Sequence, residues 1–265
     1  MKRLFNGKET SLFAKEEGNE MKGKNIIKIV AAVILLCFSA FAFLLWEGIL
    51  FIHEPLEKNY PVRGIDLSHY QGEVEWKNIK EDMDITFAFI KATEGSSHVD
   101  EKFEENWKEA QESGLYIGAY HFFSFDSPGK TQAKNFMKYV TIVDHMLPPV
   151  VDVEYYDDKA SNPPSVQEVR EELDNFIYEI EEEYGCKPII YTTMSVYNKY
   201  INEYYNAYPL WIRNTYYRPF LVKNRQWTFW QYSEKGDWPY GKGNVDMNVF
   251  AGSLKSFLRY FELEE

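Results

Sequence analysis

Four acidic residues fall in short apolar runs of strand character. They are Asp66 in Gly64-Ile65-Asp66-Leu67-Ser68, Asp152 and Glu154 in Val150-Val151-Asp152-Val153-Glu154, and Asp246 in Asn244-Val245-Asp246-Met247-Asn248. Residues two apart on a strand point to the same side, so Asp152 and Glu154 can enter one cleft with backbones roughly 6 to 7 Å apart. Several carboxyls converging in a partly dry pocket cannot all ionise cheaply, and one is driven to hold its proton near neutrality. That is what a general acid needs, and glycoside hydrolysis pairs such an acid with carboxylates that stabilise an oxocarbenium-like transition state. Any one of these acids alone is as readily a helix cap or a solvated strand end. Four of them at three strand ends point to a site. A cation held by Asp66, His69, His121 and Asp246 is the competing chemistry, but no two-His helical spacing or CxxC pair supports it. No metal and no cofactor is expected.

The elements that must position these acids can be read from the pattern. Eight β-rich runs follow residue 60: Arg63–Leu67, Thr86–Lys91, Tyr116–His121, Pro149–Glu154, Pro188–Thr192, Pro209–Arg213, Gln226–Gln231 and Asn244–Asn248. Several are apolar on both parities, as strands covered on both faces are. Helical patterns separate most of the first five. One runs from an Asp100 cap to Ser113 before Gly114, and one from a Ser127-Pro128 start toward His145. A third opens on the capping box Ser165-Val166-Gln167-Glu168 and ends at Gly185. After the sixth strand the spacing leaves little room for helices. The predicted class is α/β, an irregular TIM-like (β/α) barrel with reduced helices in its last third, and chemistry in such a barrel sits at the C-terminal strand ends. His121 and Gln231 lie at two further ends of this kind. A doubly wound open sheet is the alternative, without a glycine-rich phosphate loop to support it.

Of 29 Lys+Arg and 41 Asp+Glu, residues 1–28 hold seven basic and four acidic side chains, leaving 22 and 37 to the rest. So acidic a surface repels phosphate backbones, which excludes nucleic acid as the expected partner. Aromatics make up 17% of the chain, which fits a large core and also a cleft that stacks on sugar rings. Residues 29–46 carry no charge, and as a helix they span about 27 Å, close to a bilayer's hydrocarbon thickness. With the basic cluster ahead of it, this segment is expected to be an uncleaved signal anchor with the N-terminus cytoplasmic. The expected layout is a basic tail at 1–28, a transmembrane helix at 29–52, a linker at 53–61 and a barrel domain at 62–265 on the extracytoplasmic side. Ala40-Phe41-Ala42 has the form of a signal-peptidase site and is the competing reading. Cys37 and Cys186 fall one in each part, so no disulfide is expected in the outer domain.

Ordered blocks of the outer domain resemble the glycoside hydrolase family 25 lysozymes. They are Arg63 to Ser68 with Gln71-Gly72 and Trp76, Phe89-Ile90-Lys91-Ala92-Thr93-Glu94-Gly95, Gly118-Ala119-Tyr120-His121-Phe122, Leu147 to Glu154, Trp230-Gln231-Tyr232, and Asn244 to Asn248. The resemblance covers about 200 residues and implies a muramidase. Such an enzyme cleaves the β-1,4 bond between N-acetylmuramic acid and N-acetylglucosamine in peptidoglycan. By the same resemblance Glu154 is the general acid, and Asp152 orients the substrate N-acetyl group or a water. Asp66 and Asp246 tune the charge and hold the sugar. Tyr120, Tyr191 and Trp211 are candidate sugar contacts, with Gln231 beside them. Configuration would be retained with help from the substrate's own N-acetyl group. Three positions depart from the family pattern: Asp84, His98 and Arg213. Arg213 replaces a more usual alanine at the rim, where it can pair with a substrate carboxylate or with a nearby acid. Two other functions compete: a non-catalytic glycan-binding protein on the same fold, and a hydrolase of another N-acetylhexosamine polymer such as chitin.

Overall fold

The computed structural model describes residues 7–46 and 55–263, in two compact units divided after Ile52. The first holds one helix, α1 (Gly7–Trp46). Its apolar stretch Asn25–Leu44 has a mean hydropathy of 2.6 and buries none of its side chains. The helix thus begins within the expected polar tail, ahead of the apolar run. The end of the expected anchor and the start of the expected linker, residues 47–54, lie outside the described residues.

The second unit is a closed barrel. Strands β1 (Arg63–Leu67), β2 (Phe87–Glu94), β3 (His98–Val99), β4 (Tyr116–Phe122), β5 (Val150–Val153), β6 (Ile189–Thr193), β7 (Leu210–Arg213), β8 (Phe229–Gly236) and β9 (Val245–Phe250) form one sheet in the order β1-β9-β8-β7-β6-β5-β4-β2-β3. A β1–β2 pairing closes it, so eight strands make the wall and β3 is a short hairpin arm on β2. Between the strands lie α2 (Ile79–Asp82), α3 (Phe103–Glu112), α4 (Gly129–Tyr139), α5 (Val166–Tyr184) and the single turn α6 (Met194–Val196). No α-helix separates β7, β8 and β9 among the described residues, and α7 (Leu254–Tyr260) follows the last strand.

Strand alternation sorts the side chains into two cores. Inward positions of the lower barrel carry Phe87, Phe89, Val150, Ile189, Tyr191, Trp211, Phe229 and Phe250, with Phe257 of α7 packed among them. Two of these rings need a glycine opposite. A Cβ on Gly64 would stand 2.2 Å from the Phe87 ring, and one on Gly118 would stand 2.5 Å from the Phe89 ring. Outward positions such as Ile65, Ile90, Val151 and Ile190 pack under the helices, against Phe136, Leu173, Phe176 and Ile180. Burial on both faces explains why these strands read as apolar on both parities.

Several expectations need correction. The last strand is not parallel: β9 runs antiparallel to both β1 and β8. Its connection from β8 is residues 237–244, shorter than the dozen or so residues that a parallel crossover requires. Asp246 therefore lies near the start of its strand rather than at its C-terminal end, and still reaches the same rim. Asp100 does not cap a helix. Its Oδ1 accepts from the Lys102 amide at 3.0 Å, and α3 starts one residue later. The helix after Ser127-Pro128 takes Pro128 as its N-cap and stops at Tyr139, short of His145. Ser165 caps α5 as expected, its Oγ accepting from the Glu168 amide at 3.2 Å, and Gly185 ends it with φ 67°.

Candidate active site

The four acids share one cleft at the upper rim of the barrel, about 220 Å³ in volume, with Lys91, Tyr120, Tyr191 and Trp211 also in its lining. Register explains the convergence. Asp66 on β1 is directly opposite Asp246 on β9, and directly opposed residues of an antiparallel pair project to one face. Asp152 is the third residue of β5, and Glu154 follows that strand with the same inward parity.

Beneath the acids runs a chain of buried hydrogen bonds. Asp66 Oδ1 accepts from Asn248 Nδ2 at 2.6 Å and from Gln231 Nε2 at 2.9 Å. The Gln231 amide also donates to Asp246 Oδ2 at 3.1 Å, and its Oε1 accepts from the Tyr191 hydroxyl at 2.8 Å. Asn248 Oδ1 accepts from the Trp211 indole at 2.8 Å. These groups lock one another into a single arrangement, as a fully satisfied network does.

Burial raises the proton affinity of every acid in the cluster. Asp66 is pushed up to about 6 by burial, held from going further by the Asn248 and Gln231 amides. Asp246 goes to about 8, through burial and then the charge of Asp66. Asp66 is therefore the first of this pair to ionise and Asp246 keeps its proton longer. Asp152 is raised by burial and next by the Glu154 charge, and its Oδ1 is buried with no hydrogen-bond partner. Glu154 is raised by burial against the opposing pull of Arg213. A quarter of the Glu154 side chain stays exposed. It is thus both protonatable and reachable.

The other candidate residues separate into layers. Tyr120 lines the cleft, where burial and the Asp66 and Asp152 charges raise its phenol. Tyr191 and Trp211 form the floor. Trp211 is only 2% exposed and stacks on Phe89 with centroids 4.6 Å apart. Gln231 is buried below Asp66 and Asp246 rather than open to the cleft. Arg213 stands at the rim between two acids, with Nη1 3.9 Å from Glu154 Oε2 and Nη2 paired with Glu234. His121, beside Tyr120, faces the opposite way, into the helical layer. Its Nε2 donates to Gln132 Oε1 at 3.1 Å, Nδ1 accepts from Thr93 at 2.7 Å, and the ring stacks on Phe176. His69 pairs with Asp100 at 2.7 Å. The set Asp66, His69, His121 and Asp246 therefore does not converge, and no metal-holding group of three His, Cys, Asp or Glu occurs among the described residues.

Sequence reasoning missed Asn248, Lys91, Tyr70 and Glu234. Asn248 was within reach, being two residues past Asp246 and so on the same face. Lys91 is two past Phe89 on β2 by the same alternation, and its Nζ pairs with Glu94 at 2.7 Å. Tyr70 stands at the cleft mouth, 76% exposed and ring to ring with His69 at 4.1 Å. Glu234 carries no local signal.

An acid cluster at the rim of an eight-stranded barrel, with one carboxyl both partly exposed and protonatable, is an arrangement suited to glycoside hydrolysis. The family model for Glycosyl hydrolases family 25 matches residues 65–240. The chain belongs to that family. A family 25 glycosyl hydrolase from Bacillus anthracis is 42% identical, superposes with a TM-score of 0.75, and is matched over 79% of this chain and 97% of its own. A bacterial lysozyme from Streptomyces coelicolor is 32% identical with a TM-score of 0.69, over 77% of this chain and 98% of its own. Lysozyme M1 of Streptomyces globisporus is 32% identical over 213 residues, 74% of this chain and 70% of that protein.

Proposed function

We propose that this hydrolase is a muramidase that cuts the β-1,4 bond between N-acetylmuramic acid and N-acetylglucosamine in peptidoglycan, with Glu154 as its general acid. The observation that carries the reading is the orphaned, buried Asp152 Oδ1 beside a partly exposed, protonatable Glu154. An N-acetyl N–H placed at Asp152 would supply the missing hydrogen bond and favour its ionised form. The negative charge gained there holds the proton on Glu154, which faces the leaving oxygen. Ionised Asp152 also orients the N-acetyl group for attack from within the substrate, the exception to the two-carboxylate scheme. Asp66 and Asp246 hold the sugar next to the cut, with Gln231 and Asn248 fixing their geometry. Tyr120 supplies a cleft wall, while Tyr191 and Trp211 supply its floor. The lysozyme relatives support this substrate.

The proposed layout keeps residues 1–28 cytoplasmic, spans the membrane with 29–52, and carries the barrel, 62–265, outside on the linker 53–61. It is supported by the apolar, unburied Asn25–Leu44 and by the basic side chains ahead of it. The mass of the chain, recovered from both the membrane and the soluble extracytoplasmic fractions, decides this. A chain retaining residue 1 is anchored, and one starting at residue 43 has lost a signal peptide.

The activity test incubates the full chain in detergent with purified peptidoglycan and reads released fragments by mass after borohydride reduction. Fragments ending in reduced muramic acid are expected. Release from chitin alone would move the substrate to another N-acetylhexosamine polymer. Wall binding without release would replace the enzyme reading with a binding module.

A further inference from the structure

Arg213 stands at the rim of the cleft, and its surroundings give it a task. It ends β7 in register with Thr193 of β6 and Gln231 of β8, with the inward parity of Trp211. One nitrogen of the guanidinium holds Glu234, which lies on β8 and is 42% exposed, and another stands 3.9 Å from Glu154 Oε2. Arg213 is thus strung between an outer anion and the proposed acid. A planar guanidinium presents separate nitrogens to the two carboxylates in one fixed geometry.

The charges facing Glu154 come from every wall of the cleft. Asp152 lies two residues before it, on β5. Tyr191 faces it from β6, Arg213 from β7 with Glu234 of β8 behind it, Asp246 from β9, and Asp66 from β1. Lys91 of β2, itself paired with Glu94, and Tyr120 of β4 complete the ring. Arg213 lowers the proton affinity of all four carboxyls, and Lys91 that of Asp152 and Glu154.

We propose that Arg213, anchored by Glu234, is a positioning residue that sets the charge of the whole carboxyl cluster, and so fixes where on the pH scale the enzyme works. The proposal rests on the reading of Glu154 and Asp152 above. Glu234 divides the guanidinium's field. With Glu234 in place, Glu154 feels part of one positive charge. Without it, Glu154 feels all of that charge.

The two ends of this pair therefore make opposite forecasts. Arg213→Gln removes the cation, so the acids hold their protons longer. Both limbs of the pH–rate profile move up by about one pH unit, the low end of what an opposite charge within about 4–6 Å exerts. Glu234→Gln leaves the cation and removes its competitor, so both limbs move down, by less because Glu234 is partly solvated. Arg213→Lys keeps the charge and restores most of the wild-type position. A residue needed only for packing would lower the rate without moving either limb.

The experiment is a set of four pH–rate profiles on peptidoglycan, for the full chain in detergent and these three variants, with melting curves to check folding. Carboxyl carbon chemical shifts of the same proteins, labelled at Asp and Glu, are followed through the same pH range. Opposite shifts for Arg213→Gln and Glu234→Gln support the proposal. Profiles that stay in place, or move in the same direction, overturn it. If the wild type hydrolyses nothing, the muramidase reading fails on its own. The carboxyl titrations then decide the Arg213 proposal by the same criterion of opposite shifts.

Discussion

Asn248→Ala should weaken the domain, and by more at pH 7.5 than at pH 4.5. Asn248 is fully buried and serves two partners, donating to Asp66 Oδ1 at 2.6 Å and accepting from the Trp211 indole at 2.8 Å. A hydrogen bond to a charged group contributes about 1.5–3 kcal/mol, and a stranded indole N–H in a dry interior costs about 1–3 kcal/mol. Partial relaxation keeps the total to about 3 kcal/mol, well inside the typical net stability of about 5–15 kcal/mol, so the variant still folds. For a domain of about 200 residues that loss lowers Tm by about 6–12 °C. The pH dependence follows from Asp66. Its carboxyl ionises near 6, so only above that value does Asn248 support a negative charge. Removing the amide raises the Asp66 value further, and the gap between wild type and variant widens as pH rises through it. Calorimetric melts at the two pH values check this. A loss under 2 °C at pH 7.5, or an equal loss at both, would refute the network as drawn.

Three further outcomes follow from the same geometry. His121 is held neutral in the folded state down to about 4, against an ordinary 6.5, because burial opposes its charge. Its contribution, about 3 kcal/mol, is complete above pH 6.5 and is lost as pH falls to 4, so His121→Gln should flatten the stability curve in that window; equal slopes would count against it. Gly64→Ala would set a Cβ 2.2 Å from the Phe87 ring and cost about 1–3 kcal/mol. Adding Phe87→Leu should recover part of that loss in a melt, and an unchanged Tm for the single variant would show that the ring can move away.

How much of this was legible in the sequence depends on the physical range of each signal. Strand positions were legible because burial on both faces leaves β-branched and aromatic residues on both parities. The four acids were legible because alternation places them together once the strands are known. The direction of β9 was missed although it is encoded locally, in the eight residues between β8 and β9. His121 and Asn248 are further cases where alternation was available. Tyr120 faces in, so His121 must face out, and Asn248 must share the face of Asp246. Glu234 could not have been found. Alternation fails across the register shifts that interrupt the β8–β9 pairing on either side of Ser233, and the partner of Glu234, Arg213, lies on another strand. The start of α3 slipped by two residues because Asp100 spends its carboxylate on the Lys102 amide and on His69 rather than on a helix.

In the proposed mechanism Glu154 delivers the proton to the departing sugar. The most direct measurement compares hydrolysis of purified peptidoglycan by the wild-type chain and by Glu154→Gln, both in detergent and both shown folded by their melting curves. Reduced muramic acid ends are expected from the wild type, with a fall in rate of about 10² or more in the variant. A variant within a few-fold of wild type at every pH would contradict this mechanism and move the acid role to another carboxyl of the cluster.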